Sequence, residues 1–272
     1  MFIPKYWRKV EGEAAINGQP TVICAWGYSA VSEDEARQKA TERLGLIVER
    51  IRAGTMQSDY GYLANPMRET VIRSYGSEEA PTAVITRNGY GALVLNTAGV
   101  MFVDVDVPPS GCLALFGSSQ ERRIEAALGR IRSVVEQSPD LAFRVYRTCA
   151  GLRLLATDGL HEPDADGTAA LMQRLGADGQ YQQLCRVQKC FRARVSPKPW
   201  RAGIDRPPVR YPEADTKVLY DRWIAHYESA CAAYATCRHV IDVGSRRHVT
   251  EIEMVRDIHD DFCDVSSRKE LR

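Results

Sequence analysis

Two acids set two residues apart in an apolar run carry the clearest chemistry in this chain. The run is Gly99-Val-Met-Phe-Val-Asp-Val-Asp-Val-Pro108. Met101, Phe102, Val103, Val105 and Val107 have the β-branched and aromatic character of a strand interior. Side chains at i and i+2 of a strand share a face, so Asp104 and Asp106 project together from the sheet. Two carboxylates side by side on an apolar strand are costly. A divalent cation with oxygen ligands removes that cost, and Mg²⁺ usually takes one or two protein carboxylates plus substrate phosphates. Asp104 and Asp106 are therefore the candidate metal ligands and catalytic acids, with Mg²⁺ or Mn²⁺ as the ion. The alternative is that the pair ends in solvent or is met by arginines.

A second cluster is basic. Lys189, Arg192, Arg194, Lys198 and Arg201 place five cations within thirteen residues, with Phe191 and Trp200 between them. Guanidinium forks fit phosphate, and an aromatic ring can stack on a base. Arg192 and Arg194 fall on one face of a strand-like stretch. The net charge of the whole chain is only +1. No global field draws in nucleic acid, so a basic site must be local. The competing account is a solvated edge strand, which charges and prolines protect from pairing.

The cysteines and histidines give a weaker signal. Cys185-x4-Cys190, Cys231-x5-Cys237 and His259-x3-Cys263 can be arranged as a zinc site, but the cysteine spacings are wider than usual and buried apolar cysteines are the simpler reading. His259-Asp-Asp261 could serve a metal-dependent phosphoesterase together with Asp104 and Asp106. A helix-terminal histidine facing the helix dipole is the plainer account. No phosphate-binding P-loop, dinucleotide Gly-x-Gly-x-x-Gly or Gly-x-Ser-x-Gly elbow occurs.

The elements that must position these residues are legible from periodicity. Residues 1–20 read as an irregular lead-in, followed by a strand at Thr21–Tyr28. Ser32-Glu-Asp-Glu35 matches a capping box opening a helix through Ile51. Residues 57–77 give only a loop and a short helix around Asn65–Glu69. Ala83–Thr86 and Ala92–Asn96 form a hairpin about Asn88-Gly89, and the acidic strand comes next. Pro108-Pro-Ser-Gly111 breaks that strand. A helix over 119–136, capped by Ser118 or Ser119, carries Ile124, Leu128, Ile131 and Val135 on one face. Phe143–Arg147 and Leu152–Ala156 form a second hairpin that brings Arg147 and Arg153 beside the acidic strand. Helices over 164–176 and 179–188, a strand at 190–195, a proline-rich connection over 196–212, a helix over 214–234, a strand at 238–243 and a helix over 249–263 complete the chain, with a frayed tail. The layout predicts an α+β fold: a central, mostly antiparallel sheet with helices on one face, an RRM-like core built on a split β-α-β unit. Three segments are expected: residues 1–80 packing on the core, 81–195 as the core, and 196–272 as a proline-rich connection with a helical end, all three within one domain if the connection wraps the core.

Phe102-Val-Asp-Val-Asp106, a following helix, and Thr148-Cys-Ala-Gly-Leu-Arg-Leu-Leu155 together resemble the archaeo-eukaryotic primase and primase-polymerase superfamily. Those enzymes carry an hhhDhD strand, then a hairpin motif with a histidine, then a single later acid. Asp104 and Asp106 match the first motif. Arg153 stands where the histidine is expected, a departure that replaces a titrating group with a fixed cation. Asp242 in Val240-Ile-Asp242 is the candidate third acid. The resemblance implies two divalent ions on Asp104 and Asp106, one activating a 3′-hydroxyl and one clamping a triphosphate, with basic residues on the phosphates. Arg147, Arg153, Arg192, Arg194, Lys198, Trp200 and Arg201 are then the candidate substrate-binding residues.

Length and composition set the outer bounds. A chain of 272 residues can bury a real core. No apolar run reaches the length of a membrane span, and Met1–Arg8 has no signal-peptide core, so a cytoplasmic protein with reduced cysteines and no membrane partner is expected. Three functions compete: a metal-dependent nucleotidyl or phosphoryl transferase acting on nucleotides or nucleic acid, a non-catalytic nucleotide- or nucleic-acid-binding protein on a related scaffold, and a small metal-dependent phosphoesterase. The first requires Asp104, Asp106 and Arg153 to converge in one cleft rimmed by the 192–201 segment. Sequence alone does not choose among DNA, RNA and free nucleotide, or give the oligomeric state.

Overall fold

The structure is a computed structural model that describes residues 1, 3–16, 18–55, 68–77, 79–107, 118–211 and 215–272, with the side chains of Ser118 and Ser119 outside that description. The chain separates into two compact units, Phe2–Thr70 and Val71–Arg272. The division falls about ten residues before the boundary expected at residue 80, and none falls at 195. The loop and short helix expected around residues 60–69 lie almost wholly outside the described residues, as do the break at Pro108–Gly111 and the side chains of the capping serines.

In the smaller unit the lead-in is a strand. β1 (Tyr6–Ile16) pairs antiparallel with β2 (Gln19–Ser29), and Gly18 supplies a positive φ of 77° at the turn. The missed signal is Asn17-Gly18, a hairpin dipeptide. Helix α1 (Glu33–Arg52) starts where the capping box places it, with the Glu35 N–H donating to Ser32 Oγ at 3.2 Å. The Glu35 carboxylate instead accepts from Ser29 Oγ at 2.6 Å. Ala36 and Ala40 are fully buried, and a Cβ on Gly27 would lie 2.0 Å from the Ala36 carbonyl oxygen. Only small residues permit that approach of helix to hairpin.

The larger unit contains two four-stranded sheets. The first has the order β11 (Cys237–Val243), β7 (Phe143–Thr148), β8 (Gly151–Ala156), β6 (Phe102–Asp106), with every pairing antiparallel. β6 and β7 are joined by α2 (Ser118–Gln137) and run parallel with β8 between them, which is the expected split β-α-β unit. The second sheet has the order β3 (Thr70–Gly76), β4 (Pro81–Arg87), β5 (Leu93–Thr97), β9 (Phe191–Arg194). This is an α+β fold with antiparallel sheets, as its periodicity predicts.

Strand alternation decides which face carries what. Val103 and Val105 sit opposite Leu154 and Leu152 and pack under Ile124, Leu128, Ile131 and Val135 of α2. Leu171 and Leu175 of α3 (Asp166–Leu175) and Cys185 of α4 (Gly179–Gln188) join the same cluster. On the other face Phe102, Leu155 and Tyr146 meet Ile85, Leu95 and Ala193 of the second sheet. Val255 and Ile258 of α6 (Thr250–Cys263) fill this layer too. Helices therefore cover one face of the acidic sheet as expected, and α6 with the second sheet closes the other.

The region after residue 195 is part of this core. α5 (Lys217–Cys231) follows the proline-rich connection, and β11 then enters the acidic sheet beside β7. The tail is not frayed: β12 (Glu270–Leu271) pairs parallel with β10 (Tyr234–Ala235). Among the described residues no helix is long and apolar enough to cross a membrane.

Gly151 opens β8 opposite Asp106, and a Cβ there would lie 2.1 Å from the Val105 carbonyl oxygen. Gly151→Ala must push the strand pair apart and should lower stability by more than about 2 kcal/mol in urea denaturation. Gly129, in the middle of α2, has nothing within 4 Å of such a Cβ. Gly129→Ala should raise stability by roughly 0.5–1 kcal/mol in the same assay.

Candidate functional site

Phe102, Asp104 and Asp106 lie on one face of β6, opposite Leu155, Arg153 and Gly151 of β8. The inner rung is apolar, the middle rung is an acid facing an arginine, and the outer rung is an acid facing a bare glycine. Moving outward, the strand pair thus passes from core to open cleft. The cleft holds about 430 Å³ and is lined by Asp104, Asp106, Arg153, Arg194, Lys198 and Arg201. Thr148, Asp178, Tyr181, Thr236 and Arg272 also contribute to its wall.

Arg153 organises the floor. It is 2% exposed, and its Nε and Nη2 donate to the two oxygens of Asp104 at 2.7 and 3.1 Å. Nη1 donates to the Arg194 carbonyl at 2.7 Å, tying the first sheet to β9 of the second. Tyr181 of α4 makes a parallel tie: its hydroxyl donates to the Phe102 carbonyl at 2.8 Å and accepts the Arg192 N–H at 3.3 Å. Burial opposes ionisation of Asp104, but the charge and hydrogen bonds of Arg153 outweigh it and hold the carboxyl below its ordinary range. Burial likewise opposes the Arg153 cation, and Asp104 more than restores it.

The rim is cationic and largely unanswered. Among the described residues, Arg194, Lys198 and Arg201 have no carboxylate within 4 Å, and Arg194 Nε is buried without a hydrogen-bond partner. Burial first and the neighbouring Arg153 charge second pull Arg194 down to about 10. Burial, then Arg194 and Arg201, lowers Lys198 as well. Burial is the larger cause of both shifts, and the neighbouring cations add to it. Five cations around the cleft face three carboxylates, and one of these, Asp178, caps α4 by accepting the Tyr181 N–H at 3.2 Å. Asp106 is exposed and has no ion pair among the described residues.

Beside the rim, Lys198 Nζ sits 5.5 Å from the ring centroid of Trp200, and Trp200 meets Tyr90 edge-on at 5.6 Å. Trp200 is 44% exposed, and the Arg206 guanidinium also lies over its ring, 5.2 Å from the centroid.

Three expected site residues lie elsewhere. Asp242 is at the far end of β11, on the rung of Arg144, where it accepts from His239 at 2.9 Å and lies 3.5 Å from Arg144. The cleft end of that strand is Thr236-Cys237, so Asp242 is not a third acid of this cleft. Arg147 donates to the carbonyls of Thr148 and Gly151 at 3.1 and 2.9 Å and clamps the β7–β8 turn. Arg192 is 7% exposed and donates to Gln188 Oε1 at 2.6 Å. Conversely, sequence reasoning missed Asp178, Tyr181, Thr236 and Arg272. Asp178 was legible as a helix cap, whereas Arg272 reaches the cleft only because β12 pairs with β10.

Behind Arg153 lies a second group. His259, near the end of α6, is fully buried, and its Nε2 is 3.5 Å from Arg153 Nη1. The guanidinium of Arg153 thus stands between His259 and Asp104. Cys237 and Cys263 complete a buried trio with His259 whose ligand atoms all lie within 4.8 Å of one another. Cys185 and Cys190 are buried elsewhere, and Cys231 is partly exposed near Tyr227.

Removing Asp104 leaves Arg153 buried without its anion. Asp104→Ala should cost about 2–4 kcal/mol, less than for a fully enclosed pair because the carboxylate is 37% exposed. The folded-state value of Asp104 is depressed, so its contribution is complete above the unfolded carboxylate value and is lost as pH falls through the folded one. Urea midpoints measured from about pH 6 to 3 should fall for the wild type and fall less for Asp104→Asn.

Comparison with protein-family models, curated proteins and solved structures gives no match, so the geometry of the cleft itself carries the functional argument.

Proposed function

We propose that this chain is a metal-dependent nucleotidyl or phosphoryl transferase that takes a nucleotide, free or at the end of a nucleic acid, into the cleft between β6, β8 and β9. One observation carries the reading. The two strand acids open on the same cavity as three cations that have no carboxylate partner among the described residues. A cavity holding only acids would suit a cation, and one holding only bases would suit an anion. Both together suit a phosphate group with its divalent ion.

Asp104 and Asp106 would hold Mg²⁺ or Mn²⁺. A carboxylate offers about four acceptor directions, and the Arg153 fork uses two, so Asp104 keeps an outward edge for a metal. The ion would polarise the phosphoryl oxygens and lower the pKa of an attacking hydroxyl. Arg194, Lys198 and Arg201 would neutralise the phosphates, and the half-exposed Trp200 would stack on a base if Lys198 or Arg206 moved off its ring. The resemblance to primase-polymerases of the strand 102–106 and the hairpin 148–155 supports the same chemistry, with Arg153 replacing the usual histidine.

A second reading has its own support. The bidentate Arg153–Asp104 pair already neutralises one of the two acids, which favours a nucleotide-binding protein without catalysis. The phosphoesterase reading has no such support, because the Arg153 guanidinium separates His259 from the strand acids.

Calorimetry with ATP and Mn²⁺ or Mg²⁺ tests the proposal. Wild type should bind nucleotide more tightly with the metal than without it, and Asp106→Asn should abolish that difference. Arg194→Met and Lys198→Met should each weaken nucleotide binding roughly 10–150-fold, the value of a charge-assisted contact of about 1.5–3 kcal/mol. Metal-dependent binding with no pyrophosphate or extended product, on any of the four nucleotides with and without a primed strand, would select the non-catalytic reading. Binding unaffected by any of these substitutions would remove both.

A further inference from the structure

We infer that Cys237, His259 and Cys263 form a zinc-binding site buried behind the cleft. The trio joins the first residue of β11 to two residues one turn apart on α6, so an ion there would fasten the last helix to the edge strand of the acidic sheet.

The distances fit. A tetrahedral zinc ion with bonds of about 2.3 Å to sulfur and 2.0–2.1 Å to nitrogen sets its ligand atoms roughly 3.5–3.8 Å apart. His259 Nε2 lies 3.8 Å from Cys237 Sγ and 3.5 Å from Cys263 Sγ.

The surroundings fit as well. A ligating histidine commonly donates its other ring N–H to a carboxylate, which fixes tautomer and ring orientation. His259 Nδ1 is 2.9 Å from Asp260 Oδ1. Asp260 is itself held by the Tyr146 hydroxyl at 2.7 Å and by Arg144 at 3.2 Å. With Nδ1 donating, Nε2 presents a lone pair to the two sulfurs. Tyr146 and Phe102 flank the imidazole with ring centroids at 4.7 and 5.1 Å, so the ring has little freedom to turn.

Without an ion the trio is poorly served. All three side chains are 0% exposed. Among the described residues, the donors near Nε2 are two thiols, which donate weakly, and Arg153 Nη1 at 3.5 Å, which already serves the Arg194 carbonyl at 2.7 Å. Buried polar atoms with weak partners cost free energy. Binding Zn²⁺ converts the thiols to thiolates with release of two protons, forming two Zn–S bonds and one Zn–N bond. The two thiolates cancel the ion's charge, so the pairing of Arg153 with Asp104 keeps its balance. No fourth side-chain ligand is present among the described residues, so a water molecule would complete the shell.

Reduced, chelator-treated protein supplies the test. On addition of Zn²⁺ it should bind about one ion per chain and melt at a higher temperature. Co²⁺ should give sulfur-to-metal charge-transfer absorption and the strong visible bands of a tetrahedral site. Cys237→Ser and Cys263→Ser should lose the charge-transfer signal and the stoichiometric ion, while Cys24→Ser, at an exposed cysteine, should keep both. If the two core variants do not fold, the wild type decides alone. Wild type that binds no zinc and shows neither cobalt absorption nor a shift in melting temperature overturns the proposal. So does a zinc stoichiometry that folded Cys237→Ser and Cys263→Ser retain.

Discussion

The larger unit is built around one buried guanidinium. Arg153 uses three of its donors on two partners: two to Asp104 across the strand pair and one to the Arg194 carbonyl in the other sheet. An arginine is the only side chain with the reach and the fixed fork for that arrangement, and it stays charged despite burial. A buried charge is tolerable only when it is paired and hydrogen-bonded. The position of Asp104 is therefore a condition of the fold as well as a feature of the site. The register that sets Asp104 opposite Arg153 also leaves Asp106 opposite Gly151, where the Val105 carbonyl takes the space a Cβ would fill and no side chain can answer the acid.

The electrostatics of the cleft follow from that arrangement. Asp104 spends much of its charge on Arg153, so it does little to neutralise the rest of the wall. Burial lowers Arg194 and Lys198 first, and neighbouring cations lower them further: Arg153 and Arg201 act on Arg194, and Arg194 and Arg201 act on Lys198. A protein that kept these groups for stability alone would be expected to place acids among them. On the function proposed above, the unanswered charge would meet an anion, and Asp106, within the same cavity, would receive the cation that accompanies a phosphate.

How much of this the sequence reveals depends on the range of the interaction. Local signals survive folding well: the Ser32 cap, the Asn88-Gly89 hairpin, the apolar face of α2 and the pairing of strands about Gly151 are all set by neighbours within a few residues. Asp104 and Asp106 were legible because i and i+2 on a strand share a face whatever the tertiary context. Long-range placement was not. Asp242 has the right type and an apolar approach, but β11 runs with Cys237 toward the cleft and Asp242 away from it, and only the sheet order reveals that. Arg147 and Arg192 look like phosphate ligands in a string of residues, yet local carbonyls and Gln188 hold them. Cys237 and the pair His259 and Cys263 are more than twenty residues apart, and their spacing carries no familiar metal-site pattern.

The cleft and the buried trio share Arg153, and this constrains how each can work. One edge of the guanidinium faces Asp104 and another lies against His259. Were the trio to carry a net positive charge, it would weaken the hold of Arg153 and release Asp104 toward the cleft. Were it to carry a net negative charge, it would compete with Asp104 for the same cation. A neutral cluster is the arrangement that leaves the Arg153–Asp104 pair undisturbed, and a divalent ion balanced by two thiolates is neutral. With the proposed ion bound, the neutral cluster behind the guanidinium and the charged cavity in front of it would be two sides of one electrostatic requirement, set by burying a single arginine in the middle of a sheet.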